Sequence, residues 1–159
     1  MYTTLITGAN RGIGLTLASQ YLADGWQVIA CSREPKSPSL ANLASQYPNQ
    51  LKRYALDVTN TAAINQLAST LKNTPIDVLI NNAGTYPDSD FGDTDVDAWL
   101  HAFHVNSIAP VKMAEAFLAN VAASQLKKMV TLSSKMGSID DNTSGGSYLY
   151  RTSKTAANM

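Results

Sequence analysis

The sequence holds one cysteine, Cys31, so no disulfide can form within the chain. A reducing compartment fits that scarcity. No apolar run is long enough to span a bilayer. The first residues, Met1 to Thr7, carry no basic segment and no signal-like apolar stretch, so the default expectation is the cytoplasm. Neither sign of charge prevails, with 12 Lys and Arg against 12 Asp and Glu. That balance argues against a global attraction to nucleic acid or to an anionic membrane, and neither is expected as a partner. Any affinity for phosphate must come from local geometry. Internal repeats, linkers and low-complexity tracts are also missing.

What is present is an alternation of short apolar runs and longer segments of helical period. In 159 residues it suggests one α/β domain, a doubly wound parallel sheet of Rossmann type. Strands are expected at 3–7, 27–32, 52–56, 77–80 and 129–133, in the order 3-2-1-4-5. A helix after the first strand should bury Ile13, Leu17, Tyr21 and Leu22 and stop at Gly25. A short helix is expected at 40–46. Thr59 is placed to cap the helix carrying Ile64, Leu67 and Leu71. Thr94 with Asp97 suggests a capping box for one long helix reaching Ala123, kinked at Pro110. A last helix should begin near Tyr148 and run barely two turns.

Three stretches carry chemistry. Thr7-Gly8-Ala9-Asn10-Arg11-Gly12-Ile13-Gly14 lies between a strand and a helix. Glycines there let the backbone turn sharply and approach a pyrophosphate, which the N–H groups of the following helix attract. The end of the second strand reads Cys31-Ser32-Arg33, with no acid before Glu34. An acid at that place bonds a ribose 2′-OH, whereas a guanidinium accommodates a 2′-phosphate. Arg33 and Arg11 therefore favour NADP(H) over NAD(H). In Tyr150-Arg151-Thr152-Ser153-Lys154 the phenol and the amine share a helix face. A cation beside a phenol favours its ionised form. Of the seven tyrosines, only Tyr150 has a lysine four positions on.

With TGANRGIG at 7–14 stand Asp57-Val58, NNAG at 81–84, Asn106 in HVNS, Ser133-Ser134 and YRTSK at 150–154. In that order they resemble the short-chain dehydrogenase/reductase family, and the stretch before the tyrosine is similar to its carbonyl-reductase-like and C-factor-like members. The resemblance implies roles. Tyr150 would be the general acid/base, with Lys154 assisting it and holding the nicotinamide ribose. Ser134 would bond the substrate oxygen, and Asn106 would anchor a proton-relay water. Gly8, Asn10, Arg11, Gly12, Ile13 and Gly14 would cradle the pyrophosphate, with Arg33 on the 2′-phosphate. Asp57 and Val58 would meet the adenine, and Asn82, Ala83 and Gly84 would line the cofactor site. The implied reaction is NADPH-dependent reduction of a small-molecule ketone or aldehyde.

Family members continue past this point through a sixth strand, a substrate-covering segment and a seventh strand. The expectation is thus a chain incomplete at its C-terminus, with weak cofactor binding, little turnover and a compromised family-type homo-oligomer. The competing expectation is a catalytically silent nucleotide-binding or signalling protein. Two other patterns fail. The acids Asp88, Asp90, Asp93, Asp95 and Asp97 do not match a calcium loop, because position 5 from Asp88 is Gly92 and position 6 from Asp93 is Ala98. His101 and His104 share a helix face without a clear third ligand, so no metal is expected.

Overall fold

A computed structural model describes residues 1–159. Five parallel strands form one sheet in the order β3-β2-β1-β4-β5. They are β1 (Thr3–Thr7), β2 (Gln27–Ser32), β3 (Leu51–Ala55), β4 (Val78–Asn81) and β5 (Lys128–Thr131). The helices are α1 (Gly12–Ala23), α2 (Pro38–Gln46), α3 (Thr61–Thr70), α4 (Val96–Phe103), α5 (Ala109–Ala122) and α6 (Tyr148–Asn158). None is long and apolar enough to cross a membrane.

Alternation within each strand builds the two halves of the core. Side chains along a strand point to opposite faces in turn. Leu5, Ile29, Cys31 and Leu79 go to one face, where Ile64 and Leu67 of α3 and Met113, Phe117 and Val121 of α5 cover them. Ile6, Val28, Ala30, Val78 and Ile80 go to the other, under Ala18 and Leu22 of α1 and Leu40 of α2. Strands buried on both faces carry continuous apolar runs, as β2 and β4 do.

Cys31 lies in that core, and burial pushes its thiol up to about 12. The thiolate is the reactive form. In native buffer near neutral pH, a disulfide reagent should leave Cys31 unmodified over hours and label it once denaturant is added. Rapid labelling of the native chain would show that β2 opens.

Several local expectations change. Thr59 does not cap α3, because its N–H and hydroxyl both go to Asp57 Oδ1, at 2.9 and 2.8 Å. The cap falls to Asn60, whose side chain accepts from Ala63 N at 3.0 Å. Thr94 and Asp97 form no capping box. Asp95 takes the N–H groups of Asp97 and Ala98 instead. The long helix is two helices, separated by a π-helical turn at His104–Ile108, with Pro110 just inside the start of α5. Ile13 is 64% exposed, and the buried stripe of α1 is Gly14, Ala18 and Leu22. β5 ends at Thr131 rather than at 133, and α6 has 11 residues rather than two turns.

Candidate active site

The strands are parallel, so their C-terminal ends lie together at one edge of the sheet. The glycine turn leaves β1 there. Gly8 takes φ +66° and Gly12 φ +54°, conformations that a side chain resists. A Cβ at Gly8 would stand 3.0 Å from Ala83 Cα, and one at Gly14 would run into Asn82 Nδ2 and Gly8 O. A Cβ at Gly12 would meet nothing within 4 Å. Two of the glycines thus serve close packing, and the third faces open space.

Asn82 holds this turn in shape. Its side-chain amide donates to Thr7 O at 2.8 Å and to Gly8 O at 3.2 Å. Thr7 Oγ1 accepts from the N–H groups of Asn82 and Ala83, at 3.1 and 3.0 Å. The NNAG segment therefore works as a brace between the ends of β1 and β4. Sequence reasoning put Thr7 in the motif without giving it a task.

At the N-terminus of α1, Arg11 occupies the cap position and makes no side-chain cap bond. First-turn N–H groups without partners in the helix suit an anion. Arg11 and Arg33 are both exposed, and neither belongs to the two salt bridges, Lys112–Glu115 and Lys135–Asp141. Asp57, at the end of β3, bonds Thr59 as described. That N–H and hydroxyl hold its carboxyl below the usual range, with further attraction from Arg33. A carboxylate depressed in the folded state contributes stability above its unfolded pKa and loses it as pH falls through the folded value. Asp57→Ala should therefore cost no more than about 1 kcal/mol at neutral pH. The gap from the unmutated chain should begin to narrow at about pH 4, the ordinary carboxylate range, and close only as the pH falls through the lower folded value. Urea titrations at pH 7 and pH 3 check this.

A second group gathers around α6. Lys154 is buried, 5% exposed, with Nζ donating to Leu132 O at 2.7 Å and lying 5.9 Å from the centre of the Tyr150 ring. No acid pairs with it, and burial pushes its ammonium below the usual lysine range. Gly84 reaches the same spot, since a Cβ there would lie 3.4 Å from Asn106 Oδ1 and 3.9 Å from Lys154 Nζ. Asn106 is fully enclosed in the π-helical turn. It accepts from Thr85 N and donates to Thr85 O and Ser153 Oγ, each at 2.9 Å. That turn adds a residue to the helix, and such turns recur at functional sites.

The Tyr150 hydroxyl makes no hydrogen bond within the chain, while its ring packs on Tyr86 at 4.3 Å. Tyr86 also bonds Ser147 Oγ at 2.8 Å. Ser147 precedes α6 in a left-handed conformation, φ 48°. Tyr86, Ser147 and Ser153 were not singled out in the sequence, since no spacing rule connects them to Tyr150. Ser134 sits before a 3₁₀ turn at Lys135–Gly137, and its oxygen accepts from Met136 N at 3.1 Å rather than bonding Tyr150. Ser133 turns elsewhere, donating to Asn158 Oδ1 at 2.5 Å. Gly137 lies hard against α6, where a Cβ would stand 2.9 Å from the Lys154 carbonyl carbon.

The profile of the short chain dehydrogenase family matches residues 2–159. Protein FixR of Bradyrhizobium diazoefficiens is 31% identical over 162 aligned positions, covering 96% of this chain and 56% of FixR. C-signal of Myxococcus xanthus is 40% identical over 86 positions, covering 54% of this chain and 52% of that protein. The NADPH-bound carbonyl reductase from chicken fatty liver superposes with a TM-score of 0.90 at 32% identity, covering 100% of this chain and 68% of the other. The chain thus spans little more than half the length of some of the proteins it resembles.

Proposed function

The chain belongs to the short-chain dehydrogenase family, and on that premise we propose that its site serves NADPH-dependent reduction of a ketone or aldehyde. The observation that carries this reading is the convergence of Gly84, Asn106 and a buried, acid-free Lys154 beneath Tyr150. The fit to a dinucleotide rests on the open space at Gly12 and on the unpaired Arg11 and Arg33. Gly8 to Gly14 would hold the pyrophosphate, Arg33 the 2′-phosphate and Asp57 and Val58 the adenine end, Asn82, Ala83 and Gly84 would line the cofactor site, and Tyr150 and Lys154 would meet the nicotinamide end. NADPH supplies a hydride when bound.

The chain's own groups manage the proton and the charge. Tyr150 delivers its phenolic proton to the oxygen of the carbonyl. Lys154 supplies positive charge beside the phenol, and Ser134 donates a hydrogen bond to the same oxygen while keeping its proton, so two donors stabilise the developing alkoxide. Asn106 fixes Thr85 and Ser153 around them, and holds the relay water. NADP bound to a carbonyl reductase of Pseudomonas aeruginosa, 33% identical and with a TM-score of 0.88, supports the choice of cofactor.

Oxidation of NADPH by a panel of ketones, aldehydes and quinones tests the reaction. The cofactor is tested separately by calorimetry. NADPH should bind more tightly than NADH, and Arg33→Asp should reduce or reverse the preference. A lost charge-assisted bond of about 1.5–3 kcal/mol corresponds to roughly tenfold or more in affinity. Equal affinity for both nucleotides in the unmutated chain would sink this choice. The 40% identity to C-signal favours a second reading, a nucleotide-binding or signalling protein without turnover. NADPH binding with no oxidation by any of the carbonyls would select it.

A further inference from the structure

We propose that Tyr86 is the positioning residue of the proton donor: its ring, pinned through its own hydroxyl, selects the rotamer of the Tyr150 phenol. The inference rests on the reading of Tyr150 given above and extends it to a residue from a distant segment. Tyr86 stands in the loop that follows β4, and Tyr150 in the first turn of α6.

The backbone of Tyr150 is fixed, and its side chain is not. Ser153 Oγ accepts from the Asn106 amide at 2.9 Å and donates to Tyr150 O at 2.8 Å. The phenol itself bonds to nothing in the chain, and Lys154 Nζ, 5.9 Å from the ring centre, is engaged with Leu132 O. A tyrosine in a helix has two open χ1 wells, about 180° and about −60°, since the third drives the ring into the preceding turn. The two wells aim the phenol in different directions, so a neighbour must choose between them. That neighbour is Tyr86, whose ring centre lies 4.3 Å from that of Tyr150 with the planes tilted by 48°. It is the closest of the four aromatic pairs in the chain.

Tyr86 is itself held at both ends. Thr85, just before it, exchanges two bonds of 2.9 Å with the Asn106 amide. The Tyr86 hydroxyl meets Ser147 Oγ at 2.8 Å. Ser147 is tied in turn, its N–H donating to Ser89 O at 3.0 Å, and the buried Ser89 hydroxyl accepts from Leu149 N at 3.3 Å. The loop is thus clamped to the start of α6, and Tyr86 keeps its place relative to Tyr150. Yet Tyr86 remains 54% exposed, so it fills little of the core. A ring held this firmly and buried this little serves the residue it touches. Such placement matters because a displacement of about 1 Å at a reacting group can cost roughly a hundredfold in rate.

Two measurements test this. The first is the Hα–Hβ couplings of Tyr150 by NMR on tyrosine-labelled chain without cofactor, assigned by the signal missing from Tyr150→Phe. One rotamer is expected in the unmutated chain and an average of two in Tyr86→Leu. Ser147→Ala removes only the pin and should populate the second rotamer in part; it decides the matter if Tyr86→Leu does not fold. Phe91→Leu, in the same loop and 90% exposed, should change nothing. The second measurement is NADPH oxidation. Tyr86→Leu should lower kcat by roughly tenfold to a hundredfold with KM and NADPH affinity nearly unchanged, and Tyr86→Phe should recover most of the loss. In the Tyr150→Phe background Tyr86→Leu should cost nothing further, because no donor is left to position. Inactivity of the unmutated chain would sink the reaction rather than the contact, and the couplings would then decide alone. The proposal is overturned if Tyr150 averages its rotamers in the unmutated chain, or if its couplings survive both Tyr86→Leu and Ser147→Ala. It is overturned too if an active chain keeps its kcat in Tyr86→Leu, or loses as much again in the Tyr150→Phe background.

Discussion

Gly14→Ala should cost the chain about 3 kcal/mol or more and abolish dinucleotide binding. Overpacking a well-filled site typically costs about 1–3 kcal/mol, and more where the obstacle cannot move. Here the obstacles are Gly8 O, Gly8 C at 3.0 Å, and the Asn82 amide. Gly8 O is backbone, and Asn82 is already tied to Thr7 O and Gly8 O. Neither can yield without opening the turn. At roughly 2–4 °C per kcal/mol for a domain of this size, Tm should fall by roughly 10 °C. Gly25→Asn is the comparison, with positive φ and no neighbour within 4 Å. It should cost under about 1 kcal/mol, since strain acts there without a clash. Differential scanning calorimetry with NADPH titration measures both effects. An unshifted Tm and intact binding in Gly14→Ala would mean that the brace between β1 and β4 is looser than described.

Tyr150→Phe should lower kcat by roughly 10²–10⁴, the usual worth of a positioned general acid, in any form of the chain that turns over NADPH. Affinity for NADPH should hardly change, because the variant keeps the ring packed on Tyr86 at 4.3 Å. Lys154 keeps its bond to Leu132 O as well. Tyr148→Phe should retain activity, since that ring packs on Phe91 instead, at 6.4 Å. Retained turnover in Tyr150→Phe with loss in Tyr148→Phe would move the proton donor two residues. A split between kcat and binding is what separates a proton donor from a structural tyrosine.

The strands and their order were legible because a parallel sheet leaves a strong trace. Runs such as Val28-Ile29-Ala30-Cys31 and Val78-Leu79-Ile80 must feed both faces, so every position is apolar. The glycine turn and the pair Tyr150 and Lys154 were legible because their spacing has a physical reason. Helix caps were harder. Thr59 and Asn60 are both competent, and the choice depends on Asp57 having claimed Thr59. Asp95 prevails over Thr94 in the same local way. Ile13 misled because the turn, not the most apolar face, sets the rotation of α1. Gly14 must fit against Gly8 and Asn82, so the stripe through Ala18 and Leu22 turns inward and Ile13 turns out. Contacts between distant segments, such as Tyr86 with Ser147 and Tyr150, leave no mark in spacing at all.

The π-helical turn at His104–Ile108 also sets what the gene can lose. Each residue of an α-helix advances the side chains by about 100°. The turn accommodates one residue more than a continuous helix would, and the phase of α5 depends on it. An in-frame loss of one codon within 104–108 would leave a regular helix, which is locally no worse. It would also swing Met113, Phe117 and Val121 about 100° relative to α4 and detach Asn106 from Thr85 and Ser153. The same lesion at 139–146, outside any helix or strand, would be absorbed by the backbone. Length variation among descendants of this sequence should therefore collect in the later segment and avoid the earlier one, although the earlier one is the place where a helix could most easily close over the gap.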